Sequence, residues 1–191
     1  DLSKITDSNT RWKLDGDGVI WKACSSVETL YIVVKNKEDS SLVELQGIKQ
    51  FKGLGKNISV DSWLGVENVK RESKGLTLLT PEDFEVTQCS KLNYTEDKAF
   101  EQVQIIIRTK LKDLRRQHNI QNIDFCIGEG ECFRANLDLI KPYKGTRSPL
   151  RPIVLKRARQ WILEELKGEL APSGWENDDY VEWFGAIGYR D

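Results

Sequence analysis

Apolar positions along the chain recur with two different periods, and the order in which those periods alternate predicts an α/β domain. A very short strand candidate at 12–14 runs into the acidic turn Asp15-Gly16-Asp17-Gly18. Ile20, Ala23, Cys24 and Val27 then fall at helical spacing and predict a helix over 19–27. Two β-rich runs, 30–35 and 42–47, flank the polar turn 36–41 and predict a hairpin. A helix carrying Trp63 is expected over 60–72, a helix start or turn at Thr80-Pro81-Glu82-Asp83, and a strand over 84–89. The longest helical pattern runs from 95 to 118, with Thr95 as cap and Ala99, Val103, Ile106, Ile107, Leu111 and Leu114 as its stripe. A strand over 120–127 follows it. A long helix between two strands fits the crossover of a parallel α/β unit.

The remainder reads in the same way. Pro152 opens a helix over 152–166 that Gly168 stops, and 169–172 is a weak strand or loop. A further helix over 180–187 points Val181, Phe184 and Ile187 inward. The basic, glycine-rich stretch 49–57 lacks the strand–helix context and Lys-Ser/Thr ending of a phosphate-binding loop, so a solvated loop is expected there.

Composition narrows the picture. At 191 residues, with 39% hydrophobic and 31% charged positions, the chain suits one ordinary globular domain. The net charge of -1 hides a separation of signs. Lys141, Lys144, Arg147, Arg151, Lys156, Arg157 and Arg159 form a run without an acid. Acids dominate from Glu164 onward, through Glu165, Glu169, Glu176, Asp178, Asp179 and Glu182. Such segregation allows local nucleic-acid binding without a basic overall composition. The 4 cysteines show no CxxC spacing and there is 1 histidine, which argues against structural zinc. Cys24 and Cys126 lie in apolar patterns and read as buried thiols of a reducing compartment, so a cytoplasmic location is expected. His118 stands alone near a helix end and is assigned no catalytic part. No window approaches ~18 consecutive apolar residues, so no membrane span is expected. Methionine is absent, so the first residue is not expected to be the gene's own start.

The most informative stretch is 124–147. Phe125, Cys126 and Ile127 end abruptly in Gly128-Glu129-Gly130-Glu131, at the end of a buried strand, where open α/β sheets place ligands. The basic, turn-prone residues Arg134, Lys141, Lys144 and Arg147 follow at once. Acid beside base suggests a site that holds a cation and receives a polyanion. Asp15 and Asp17 repeat the strand-end carboxylate. Glu176, Asp178 and Asp179 cluster at a helix start, and three acids within four residues exceed what capping requires. A divalent cation is the natural counter-charge.

These three acidic stations, with Phe133–Arg134 and the segment Tyr143-Lys144-Gly145-Thr146-Arg147, resemble the 5′-3′ exonuclease and flap endonuclease family, particularly its bacteriophage members. The resemblance covers 14–27 and 123–181. It implies a three-layer PIN/FEN-like α/β domain with a mainly parallel central sheet over 1–191. The region around 30–95 would be an inserted β-hairpin region. It implies metal ligands at Asp15, Asp17, Glu129 or Glu131, Glu176, Asp178 and Asp179, holding Mg²⁺ or Mn²⁺. Lys144 and Arg147 match the basic residues that engage the scissile phosphate. Arg134, Lys141, Arg151 and Lys156 are expected to contact nucleic acid beside them. The implied activity is cleavage of flapped, nicked or 5′-ended DNA, with RNA as an alternative substrate, no membrane partner and no expectation about oligomeric state. The family continues with a further Asp-x-Asp strand end and a helix–hairpin–helix segment, which this sequence, ending at Asp191, does not reach. The competing readings are a PIN-like ribonuclease and a non-catalytic nucleic-acid-binding accessory domain.

Overall fold

A computed structural model describes residues 11–129 and 150–188, the side chains of 186–188 excepted. In chain order the elements are β1 (Arg11–Asp15), α1 (Asp17–Ser25), β2 (Glu28–Asn36), β3 (Leu42–Leu45), α2 (Ile48–Lys52), α3 (Trp63–Glu72) and β4 (Phe84–Leu92). They continue with α4 (Glu96–His118), β5 (Asn122–Ile127), α5 (Leu155–Glu164), β6 (Glu169–Leu170) and α6 (Asn177–Gly188). The chain divides into two compact units, Asp1–Glu28 with Leu92–Asp191, and Thr29–Lys91. Among the described residues no helix is long and apolar enough to cross a membrane.

The first unit is α/β. Its sheet has the order β1-β5-β6 with both pairings parallel. Strand alternation sorts its side chains onto two unlike faces. Leu14, Phe125 and Ile127 join a core shared with α1, α4 and α5, built from Ile20, Cys24, Val103, Ile107, Ala158 and Ile162 among others. Each fully buried isoleucine there contributes about 1.5–3 kcal/mol. The expected stripe of α4 is buried at Ala99, Val103, Ile107 and Leu111, whereas Ile106 is 39% exposed. Helical spacing bends that stripe one position away from Ile106.

The opposite face is ionic. Lys13 lies beside Asp124 in register, and Cys126 beside Glu169. Arg11 holds the Asp124 carboxylate through Nη2 at 2.5 Å and Nε at 3.0 Å. Lys13 Nζ donates to Glu169 and stands 3.8 Å from Asp124. α6 packs over this face: the Phe184 and Tyr180 ring centroids lie 4.3 and 5.7 Å from Lys13 Nζ. The sheet-facing pair of α6 is therefore Tyr180 and Phe184 rather than the expected Val181 and Phe184; the position expected at Ile187 lies outside the described side chains. An i, i+4 aromatic pair roofs an ammonium better than an aliphatic stripe does. Burial alone would lower the Lys13 pKa, but the hydrogen bond and charge of Glu169 raise it. Burial pushes the Cys126 thiol up to about 11, so it is an inert neutral group here.

The second unit has its own sheet, β3-β2-β4, in which β2 and β3 form the expected antiparallel hairpin. Ile32, Val34, Leu45, Phe51, Leu64 and Phe84 make its core. Phe51, Trp63 and Phe84 meet with centroids 5.5–6.1 Å apart. The loop expected over 49–57 begins instead as α2, because Phe51 is 1% exposed and one helical turn is what carries it into that core.

The ionic face gives a pH test. Arg11's hydrogen bond, against the opposing cost of burial, holds the Asp124 carboxyl below its ordinary range. A carboxyl with a depressed folded pKa stabilises the fold above its unfolded value of about 3.9 and loses that contribution as pH falls through the folded value. Thermal melts between neutral pH and pH ~3 should therefore show an acid-sensitive slope that Asp124→Asn flattens. An identical slope in the variant would remove Asp124 from the account.

Candidate metal centre at the strand ends

β1 and β5 end side by side, with Asp15 opposite Cys126. The chain leaves β1 through Gly16, whose N–H donates to the Cys126 carbonyl at 2.8 Å. A Cβ at that position would lie 1.9 Å from the Phe125 ring. Only glycine lets the strand turn into α1 this close to its neighbour. The tight turn sets Asp15 on the strand end and Asp17 in the first turn of α1.

Asn177, at the start of α6, connects this corner to the acidic helix. It is 4% exposed. Its Nδ2 donates to Asp15 Oδ1 at 2.6 Å and to the Cys126 carbonyl at 2.8 Å. The Cys126 oxygen thus accepts from both Gly16 and Asn177, and the same two contacts fix α6 against the ends of two strands. Asn177 Oδ1 is buried with no hydrogen-bond partner among the described residues. Glu176, Asp178 and Asp179, its neighbours in sequence, each offer one carboxylate oxygen, and these three atoms lie within 4.8 Å of one another. Glu176 is 8% exposed, Asp178 open to solvent and Asp179 between them. Hard oxygen donors in this density suit Mg²⁺ or Mn²⁺.

The other expected residues divide clearly. Asp15 is tied to the start of α6 through Asn177 and lies outside the three-carboxylate group. Asp17 is drawn elsewhere: its Oδ2 accepts from the Gly128 N–H at 3.0 Å and its Oδ1 from Arg159 Nη1 at 2.8 Å. Arg159 Nη2 also donates to the Gly128 carbonyl, so Asp17 and Arg159 clamp the end of β5 to α1 and α5. Both Asp17 oxygens thus accept hydrogen bonds at the end of β5, and the residue lies outside the three-carboxylate group. Glu129 is exposed just beyond Gly128 and lies outside the 4.8 Å group. Glu131, Arg134, Lys141, Lys144 and Arg147 lie outside the described residues. Arg151 and Lys156 are exposed around the start of α5. Arg157, from the same basic run, instead pairs with Asp97 at 2.8 Å and covers the Phe100 ring.

Two residues of this corner escaped the sequence reading. Asn177 sits between acids and reads as a spacer; its short side chain with two donors was the available signal. Arg159 was one cation in a basic run, and only its place on the buried side of the α5 helix, one residue after Ala158, sets it apart.

Asn177→Asp tests the corner without changing its shape. It removes both donated hydrogen bonds and adds a buried carboxyl among others, at a cost of about 1–3 kcal/mol. Such a carboxyl has a raised folded pKa, so the loss should be largest near neutral pH and shrink as pH falls. Denaturant unfolding at two pH values measures this; a loss independent of pH would contradict the geometry.

Compared with known proteins, the chain matches no family model, no curated protein and no solved structure.

Proposed function

We propose that this chain is a divalent-metal-dependent phosphodiesterase of the PIN/FEN-like kind, a 5′-3′ exonuclease or flap endonuclease acting on DNA. The observation that carries the reading is the convergence of Glu176, Asp178 and Asp179 within 4.8 Å, at a helix start tied through Asn177 to Asp15. Glu176, Asp178 and Asp179 are the proposed holders of Mg²⁺ or Mn²⁺, with Asp15 at their side. A bound divalent ion would activate water and carry positive charge to the leaving oxygen of a phosphodiester.

The chain's own residues supply the rest of the reading. Asn177 keeps Asp15 beside the acidic helix, and Arg159 holds Asp17 at the end of β5. Lys144 and Arg147 are the proposed grip on the scissile phosphate, with Arg134 and Lys141 beside them. Exposed Arg151 and Lys156 are proposed contacts to the neighbouring phosphates.

Two experiments test this. A 5′-flapped DNA and a single-stranded RNA are incubated with the chain in Mn²⁺ or Mg²⁺ and in excess chelator. Ion-dependent cleavage of the DNA is expected; cleavage of RNA alone would move the assignment to a PIN-like ribonuclease, and cleavage of neither to an accessory binding domain. Asp178→Asn combined with Asp179→Asn should lower the DNA rate by at least about a hundredfold while the chain stays folded, because the ion whose positive charge would meet the reacting phosphate loses two of its ligands.

The second experiment separates grip from chemistry. Arg151→Ala and Lys156→Ala should each weaken DNA binding and reduce the slope of log affinity against log salt by roughly 1. Lys144→Ala should lower single-turnover cleavage more than affinity, because its charge acts where charge develops. Equal losses of affinity in all three, with unchanged single-turnover rates, would make Lys144 an ordinary surface charge.

A further inference from the structure

Four aromatic rings stand in a row on α6 and its approach. Tyr180 meets Phe184 with centroids 4.9 Å apart at 86°, and Phe184 meets Trp183 at 5.0 Å and 80°. Trp183 meets Trp175 at 6.1 Å and 70°. The inner two are explained by the fold, since they roof the Lys13 ammonium. The outer two are not. Trp175 and Trp183 belong to neither hydrophobic core and remain 39% and 47% exposed. Edge-to-face contact holds these large rings in place while leaving apolar surface in water, which is costly unless something covers it.

Their position indicates the occupant. Trp175 immediately precedes Glu176, whose carboxylate belongs to the acidic group at the strand ends. We propose that Trp175 and Trp183 are a stacking platform for an unpaired nucleobase of a single-stranded segment whose phosphate is held, through a divalent ion, at the α6 carboxylates. This inference rests on the metal-dependent phosphodiesterase reading and narrows its substrate to a strand with unpaired bases at the site. An unpaired base offers the free π-face that an indole ring stacks on, whereas a base within a duplex has its faces already stacked. The surrounding carboxylates repel a phosphate when no cation is present, so stacking and ion binding are coupled. An uncharged peptide or a neutral lipid covering the same rings would show no such coupling.

The test uses the full chain with Ca²⁺ as the holding ion and a fluorescein-labelled single-stranded oligothymidine, alongside a blunt duplex of the same length. Trp175→Ala combined with Trp183→Ala should lower the ratio of single-strand to duplex affinity about tenfold, the scale of one lost base stack. Trp175→Phe with Trp183→Phe should recover most of it. To separate base stacking from local unfolding of α6 in the double alanine variant, the unaltered chain is also irradiated with an oligonucleotide carrying 5-iododeoxyuridine, and the adduct mapped by mass spectrometry. A Ca²⁺-dependent adduct on Trp175 or Trp183 is the expected result. An unchanged affinity ratio with adducts only elsewhere overturns the platform and, if Mn²⁺-dependent DNA cleavage persists, leaves the phosphodiesterase reading standing. An adduct on these rings that forms equally in chelator also overturns it. A Ca²⁺-dependent adduct in a chain that cleaves neither DNA nor RNA supports the platform and removes the catalytic reading.

Discussion

The amide of Asn177 makes two hydrogen bonds, to Asp15 and to the Cys126 carbonyl, and through them the ends of β1 and β5 and the start of α6 become one corner. What opposes it is charge. Two carboxylates about 4 Å apart repel by roughly 1 kcal/mol in water and about 4 kcal/mol in a partly shielded setting. A hydrogen bond to a charged group returns about 1.5–3 kcal/mol. With Glu176, Asp178 and Asp179 mutually within 4.8 Å, the opposing terms are of the same size. The helix dipole offsets only part of this. Packing therefore holds the acids together at a standing electrostatic cost, and a cation is what reverses the sign of that cost.

That packing comes from the two faces of a small sheet. One face is buried against α1, α4 and α5 and is ordinary apolar core. The other carries Arg11, Lys13, Asp124 and Glu169, and α6 sits on it through Tyr180 and Phe184. An aromatic pair over a paired ammonium is more directional than an aliphatic contact, since it depends on where the cation stands. The result is a helix whose lateral position is set by Lys13 and whose start is set by Asn177. Both constraints act on the element that bears the acids.

Long periodic elements were legible in the sequence. The helix expected over 95–118 is Glu96–His118, and the strand expected to end at Ile127 ends there. The crossover expected to join the strand at 84–89 to the strand at 120–127 did not form: β4 belongs to the other sheet, and β5 pairs in parallel with β1 instead. Short elements were less legible, because one turn or two residues carry no period. α2 forms around the single anchor Phe51, and β6 exists only by pairing its two residues with Cys126 and Ile127. At the site, acids at a strand end and at a helix start announced themselves by type. The division of labour among them did not. Nothing local distinguishes Asp17, claimed by Gly128 and Arg159, from Asp15, claimed by Asn177; the difference is made by residues more than a hundred positions away.

The most direct measurement is the thermal stability of the unaltered chain as Mn²⁺ is raised from chelator to millimolar concentrations. An ion that relieves the repulsion among Glu176, Asp178 and Asp179 binds the folded chain and not the unfolded one. The midpoint should then climb without limit of saturation, by about 2.7 kcal/mol of added stability at a hundred times the dissociation constant. A midpoint that stays flat across that range would contradict the claim that these carboxylates form a cation site.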